Sequence, residues 1–332
     1  MTRVAIAGSG VIAGDHVRAL AALPGVEIAY VHGSDLGRAE RLAALAPGAV
    51  ATVDFTRILA DPTVVAVDVC NATPAHAPFT IAAGAAGKHV HVEKPAALTL
   101  ADFDRMVAAT EGAGTTLMVG QTVRFQPAVA ALAAAIADGA VGQPRLAHVS
   151  WYTGYVWPGG WRGWQLDRTR SGGHPVHNGT HLLDVAVWLL GRRPARVFAR
   201  SFPSFAAGMP VHDSFQLIVR FDDDSLATLE ISYSLAQPRD MFRRIVVAGT
   251  EGTVTHSTDD DPVLHAAGAA TPLPSVEGAM GRQLAHWIDL VQGRAEPVVR
   301  TGQVRAALAA ALAAQRSLDT GRPIDLREEE IA

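Results

Sequence analysis

The chain has 332 residues, 49 % of them apolar, with 28 Lys and Arg against 32 Asp and Glu and a net charge of −4. That is length for two hydrophobic cores and a soluble globular chain, with no basic excess of the kind that draws nucleic acid or anionic membrane, so neither is expected as a partner. The lone cysteine, Cys70, can close no internal disulfide and reads as a small core residue of a reducing compartment. The opening Met1-Thr2-Arg3 leaves no room for a leader, and the alanine-rich runs 129–137 and 306–314 fall short of the ~20 apolar residues that cross a bilayer, so the cytoplasm is expected.

Val4 to Ala7 is a short apolar strand, followed by Gly8-Ser9-Gly10-Val11-Ile12-Ala13 and then by helix-compatible residues through Leu23. In this strand, glycine turn and helix, Gly8 permits the turn, Gly10 admits a pyrophosphate, and the small Ala13 lets helix and strand pack. Amides at the helix start, at Val11 and Ile12, would face the phosphates. Glycine turns also join strands to helices without a ligand, but the place of this one in the first β-α unit points to a dinucleotide site.

The second strand, 27–31, runs into His32-Gly33-Ser34-Asp35-Leu36-Gly37-Arg38. An NAD site places a carboxylate just past this strand, where it would repel a 2′-phosphate. That position is Gly33, while Ser34 and Arg38 suit a phosphate, so NADP is favoured and NAD stays open. Asp35 has two readings: the N-cap of the next helix, or, with a register shift, the ribose acid.

Strands follow at 64–71 and 115–120, and helices at 75–86, ending at Gly87, and at 100–113, with Thr99 as N-cap. Such alternation predicts an α/β, doubly wound parallel sheet of Rossmann type over residues 1–121. Between them Val90 and Val92 alternate as a strand, and Pro95 lacks the amide a further ladder bond would need. Glu93 and Lys94 therefore belong at a strand's C-terminal edge, where open parallel sheets bind ligands. Adjacent opposite charges are most often a surface ion pair; here they can also be a proton-transfer group.

Gly8-x-Gly10, Ala72-Thr73-Pro74 with His76, and above all Ala85-Ala86-Gly87-Lys88-His89-Val90-His91-Val92-Glu93-Lys94-Pro95 resemble the Gfo/Idh/MocA family of nicotinamide-dependent oxidoreductases, over nearly the whole chain. The resemblance implies that Lys94, with Glu93 beside it, lies next to nicotinamide and substrate, that Thr73, Pro74 and His76 wall the cofactor, and that Gln121 contacts it. The segment Thr73 to His76 is about two residues shorter than the family's common form.

Residues 122–332 are expected to form an α+β substrate-binding and oligomerisation domain with an open, mostly antiparallel sheet, the last helix being free to pack back on the first domain. Arg124 is a substrate contact or a structural clamp at the junction, and Pro127 opens a helix to Asp138. In the loop 151–170, Trp157, Trp161 and Trp164 either plug a seam or offer a sugar an apolar face; Trp161-Arg162 resembles a family pairing.

Ser171-Gly172-Gly173 leads into a helix marked by Leu183, Val187 and Leu190. Relatives with this lysine commonly carry Gly-Gly, then Asp, then His four residues on. Here the His is His181, the implied general acid/base, and His177 stands in the Asp position on the same helical face; His177 and Asn178 are expected at the substrate. A second imidazole cannot stabilise a nearby cation as an aspartate would. Zinc on His174, His177 and His181 is set aside, because Pro175 puts His174 before the helix and Asp184 is the one acid nearby, so no metal is expected.

Strands are predicted at 214–221, 226–235, 242–248 and 253–256, joined in part by the acidic turn 222–225, and helices at 276–292 and 302–318. A broad open sheet has two faces, and relatives pair through it, which implies a homodimer or homotetramer. The reading that results is NADP-preferring hydride transfer on a sugar, cyclitol or related polyol. Its alternatives are a nicotinamide-dependent glycoside hydrolase working by transient oxidation and a sensor without catalysis.

Overall fold

The structure, a computed structural model, describes residues 1–154, 163–202, 211–235, 241–258, 263–266, 269–272 and 278–327. The chain runs β1 (Thr2–Ala7), α1 (Val11–Ala21), β2 (Val26–His32), α2 (Leu36–Ala43), β3 (Val50–Thr52), α3 (Phe55–Ala60) and β4 (Ala66–Val69). It continues with α4 (His76–Ala85), β5 (His89–Val92), α5 (Leu100–Gly112), β6 (Leu117–Val119), α6 (Pro127–Ala137), β7 (Pro144–Gly154), α7 (Arg168–Ser171), α8 (His174–His177) and α9 (Thr180–Leu190). Then come β8 (Pro194–Ser201), β9 (Ser214–Phe221), β10 (Leu226–Leu235), β11 (Met241–Gly249), β12 (Thr253–Ser257), β13 (Val263–Ala266), β14 (Ala269–Pro272), α10 (Ala279–Val291), α11 (Thr301–Thr320) and β15 (Ile324–Asp325).

Two compact units result, Met1–Phe125 with Gly278–Thr301, and Gln126–Glu277 with Gly302–Ala332. The late helix that joins the first unit is α10; nearly all of α11 belongs to the second.

The first unit holds a parallel sheet of order β3-β2-β1-β4-β5-β6. Strand order reverses between β1 and β4, and that switch point opens the ligand crevice of such sheets at the C-terminal edge. Branched residues fill both faces: Val4, Ile6, Val67, Val69, Val90 and Val92 are fully buried, as expected of strands covered by helices on either side. Thr99 caps α5 by accepting from the Asp102 amide, as its sequence suggests.

Register then places the chemistry. Ala7 pairs with Val69, Val69 with Val92 and Val92 with Val119, so Gly8, Cys70, Glu93 and Gly120 follow in one row along that edge. One residue earlier, Asp68 is the partner of His91, and with a side-chain period of two, Asp68, Cys70, His91 and Glu93 all face the same side. That side also receives α1 and α10, which carry His16 and Gln283.

Among the described residues the second unit is built on a nine-stranded sheet of order β14-β13-β12-β11-β7-β10-β9-β8-β15, in which β7 and β10 run parallel and the other pairs antiparallel. Inward-facing Ala147, Val149, Ala227, Leu229 and Ile231 are buried, and α9 packs over β7 and β10 with Leu182, Leu183, Val185 and Leu189 in the core. Each such aliphatic side chain contributes about 1.5–3 kcal/mol. On the opposite face Leu146, Ile218 and Leu226 are 40 %, 49 % and 40 % exposed.

Candidate active site

Gly8, with φ +152°, lies against the peptide after β4: a Cβ there would stand 2.7 Å from the Cys70 carbonyl carbon and oxygen. Gly10 is the N-cap of α1, and no side chain caps that helix; a Cβ on Gly10 would meet nothing within 4 Å. Val11 and Ile12, the first helical residues, are 73 % and 36 % exposed. A helix start whose amides no side chain has claimed, beside an open glycine and two bare aliphatic groups, suits a pyrophosphate with a ring beside it. The residues present therefore fit a dinucleotide.

Past β2, a Cβ on Gly33 would lie 2.4 Å from Ser9 Oγ and 2.7 Å from Ser9 Cβ, so any side chain here would have to displace Ser9. Asp35 caps α2, its carboxylate accepting from the Arg38 amide at 2.7 Å. Ser34 and Arg38 are exposed neighbours, with Arg38 Nη2 3.5 Å from Ser34 Oγ.

Thr73 is buried and Pro74 exposed in the 3-10 turn Thr73–Ala75 beyond β4. His76 is fully enclosed and buckles two loops, with Nδ1 2.8 Å from the Pro95 carbonyl and Nε2 2.9 Å from that of Asn71. Burial pushes its pKa down, against the pull of both carbonyls. The ring thereby fixes the backbone that leaves Lys94, whose peptide bond to Pro95 is cis.

Lys94 stands partly exposed at the end of β5. Burial of its amine lowers its pKa and Glu93 opposes that fall. Glu93 is buried, and Gly120 makes room for its carboxylate, since a Cβ there would come 2.7 Å from Glu93 Oε1. Gln121 is 1 % exposed, and its Oε1 has no hydrogen-bond partner among the described residues. Arg124 is 1 % exposed and donates from Nη1 to the Val298 carbonyl at 3.0 Å, a clamp within the first unit.

Behind Glu93 lies a cluster that motif reading did not find. Asp68 is wholly buried; its Oδ2 takes His16 Nδ1 at 2.8 Å and its Oδ1 takes His91 Nδ1 at 2.7 Å. His16 Nε2 in turn stands 3.3 Å from Glu93 Oε1, and His91 Nε2 is 3.0 Å from Gln283 Nε2. Cys70 Sγ lies 3.2 Å from His16 Nδ1 and 3.3 Å from Asp68 Oδ1. The donor atoms of His16, Asp68 and Cys70 all lie within 4.8 Å of one another and bond each other directly. Burial and Asp68 raise the pKa of the Cys70 thiol.

In the second unit the expected single helix is two. α8 ends at His177, Asn178 and Gly179 turn the chain, and α9 starts at Thr180. The turn is tight, for a Cβ on Gly179 would lie 2.6 Å from the Pro175 carbonyl oxygen. His177 and His181 therefore do not share one helical face, and His174 opens α8 instead of preceding it. Each partly exposed imidazole meets its own indole: His177 stands edge-on to Trp164 at 5.4 Å, and His181 lies against Trp151 at 5.3 Å. Asn178 is buried and bonds His174 Nε2 at 2.8 Å. Trp157 and Trp161 lie outside the described residues.

Arg243, the register partner of Trp151, is 3 % exposed with its guanidinium 3.7 Å from the centre of that indole. Burial lowers its pKa to about 10, while Tyr233 works the other way. Arg243 also bonds Gln126. Strand alternation was the available signal: a cation and an indole on facing strands, both pointing inward.

Residues 2–121 match the family described as an oxidoreductase family with an NAD-binding Rossmann fold, and residues 129–255 match the GFO/IDH/MocA C-terminal domain. The chain belongs to the Gfo/Idh/MocA family. It is 30 % identical to the inositol 2-dehydrogenase of Acidothermus cellulolyticus across 88 % of this chain and 85 % of that one. With the D-apiose dehydrogenase of Paraburkholderia graminis it shares 29 % over 98 % of this chain and 90 % of the other. Among solved structures, GenD2 from gentamicin A biosynthesis, in complex with NAD, superposes with a TM-score of 0.83 at 25 % identity, covering 98 % of this chain and 96 % of that chain. This member of the family is a nicotinamide-dependent dehydrogenase acting on CH–OH groups. Among the described residues no helix is long and apolar enough to cross a membrane.

Proposed function

We propose that this dehydrogenase works on a sugar, cyclitol or related polyol, with NADP as the preferred nucleotide, and that its active form is a homodimer or homotetramer paired through the nine-stranded sheet. The observation that carries the reading is the placement of Lys94 beside a buried Glu93 at the C-terminal edge of the parallel sheet, in the unit whose first helix presents uncapped amides. The bound nicotinamide supplies the hydride donor or acceptor. In the first unit Lys94 is assigned to hold a substrate oxygen by its ammonium; in the second His181, oriented by Trp151, is assigned proton transfer. His177 and Asn178 are assigned to the same substrate. Gly8, Gly10, Val11 and Ile12 hold the pyrophosphate, with Thr73, Pro74 and Gln121 along the nicotinamide. Exposed Leu146, Ile218 and Leu226 support pairing by the sheet.

NADP preference rests on Gly33, where an acid would have to displace Ser9, on an Asp35 spent as a cap, and on Ser34 with Arg38. The first experiment denatures the purified protein, identifies any nucleotide released, and then screens polyols for reduced-nicotinamide formation. Sugar release without net nicotinamide reduction would replace the dehydrogenase reading by hydrolysis. Ser34→Asp should weaken NADP binding by about tenfold or more, a like-charge clash of roughly 1.4 kcal/mol; unchanged NADP affinity would refute the ribose assignment.

A further inference from the structure

We propose that His16 is a buried imidazolium bridging Asp68 and Glu93, and that by dividing the charge of Glu93 it sets the pH range over which Lys94 remains an ammonium. His16 is thus a positioning residue, and its effect on turnover rests on the role of Lys94 given above.

With Gln283 turned so that Nε2 faces His91, hydrogen-bond polarity gives the protons. An amide nitrogen donates, so Gln283 Nε2 places an acceptor at His91 Nε2 and the His91 proton on Nδ1, toward Asp68 Oδ1 at 2.7 Å. The second Asp68 oxygen accepts from His16 Nδ1 at 2.8 Å. His16 Nε2 and Glu93 Oε1 face each other at ion-pair distance, 3.3 Å, and neither has a hydrogen-bond partner among the described residues, so each is the only group the other can meet there. Ionised carboxylates only accept, so an imidazole between two of them carries a proton on each nitrogen.

Charge balance agrees. Asp68, His16, Glu93 and Lys94 alternate minus, plus, minus, plus and sum to zero, whereas a neutral His16 would leave one of the two buried carboxylates without a counter-charge. Burial works against a charged His16, but Asp68, with Cys70 beside it, holds its pKa well above the usual value. Burial likewise opposes an ionised Glu93, which His16 chiefly, then His91 and Lys94, keep below the usual carboxylate range. The groups facing His16 are Asp68 and Cys70 from β4 and its end, and His91 and Glu93 from β5 and its end; across from them α10 brings Gln283 and Trp287 against His91. Glu93 Oε2 accepts from the Lys94 backbone amide at 3.2 Å, so the carboxylate stands between His16 and the main chain that carries the lysine side chain.

The test reads His16 directly. In protein labelled with 15N-histidine, the resonances absent from His16→Gln should report two protonated ring nitrogens from about pH 5 to about pH 8; a neutral tautomer near the upper limit overturns the proposal. This readout needs no substrate, so it stands apart from any failure of the functional reading. In kinetics, His16→Gln gives Lys94 the undivided field of Glu93 and should move the basic limb of kcat/KM upward by about one pH unit; an unmoved or lowered limb overturns the link to Lys94. Should the glutamine variant not fold, Glu93→Gln must let His16 lose its proton at lower pH, and an unchanged His16 titration refutes the bridge.

Discussion

In the first unit His16 and His91 face a carboxylate on the sheet beside them, whereas in the second His177 and His181 lie against indoles. The first arrangement grows from register: Asp68 and His91 are paired on adjacent parallel strands, and α1 lays His16 over them. It fixes where protons sit. The second grows from rings: Trp151 meets both His181 on a helix and Arg243 on the next strand. It fixes how a ring is oriented without adding a counter-charge to it. A sheet edge thus supplies electrostatics set by strand pairing, and a helix beside aromatic residues supplies an oriented imidazole.

The comparison breaks most sharply at His181, the proposed proton carrier. His181→Asn should lower kcat by about 10²–10⁴ through loss of proton transfer while leaving nucleotide affinity unchanged, measured by steady-state kinetics and nucleotide titration. A variant with near-normal kcat would take the base away from the aromatic site.

Asp68→Asn should destabilise the first unit by about 3–5 kcal/mol, because it strands a buried imidazolium, as read by denaturant unfolding. Its pH dependence has a definite sign. Asp68 and Glu93 are held below their unfolded values, so their contribution is complete above about pH 4–5 and is lost as pH falls through the folded values. The raised His16 does the reverse: its contribution is complete below about pH 6.5 and is lost as pH rises through the folded value. The variant should therefore show a flatter stability curve on the acid side, and an acid limb as steep as that of the native chain would deny Asp68 its charge.

Arg243→Met, the mildest change, removes a desolvated cation from Trp151 at a cost of about 2 kcal/mol. It should disturb kcat through the orientation of His181 more than it disturbs nucleotide binding. Equal loss of both would make Arg243 a packing residue alone.

Much of the architecture was legible because period and punctuation agreed. β9 and β10 have the predicted limits, and Thr99, Gly87 and Pro127 mark helix ends where they were expected. β3 and α3, three and six residues long, are too short to show a period and were not anticipated. The edge bearing Glu93 and Lys94 was readable from Pro95. His16 and Asp68 were not, since one sits in a helix read for its glycines and the other in a run read for its apolar residues. The usable signal was an acid inside a buried strand, which demands a partner. The split between α8 and α9 was hidden because Pro175 and Gly179 act together through a backbone approach that spacing does not reveal.

The close fit of Gly33 to Ser9 constrains how this chain can change. A side chain at 33 would overlap the Oγ and the Cβ of Ser9, so a substitution there requires the backbone of residue 9 to shift or that residue to become glycine. Positions 9 and 33 are therefore coupled in the order in which they can change: a glycine at 9 opens the space, and a side chain at 33 can follow it.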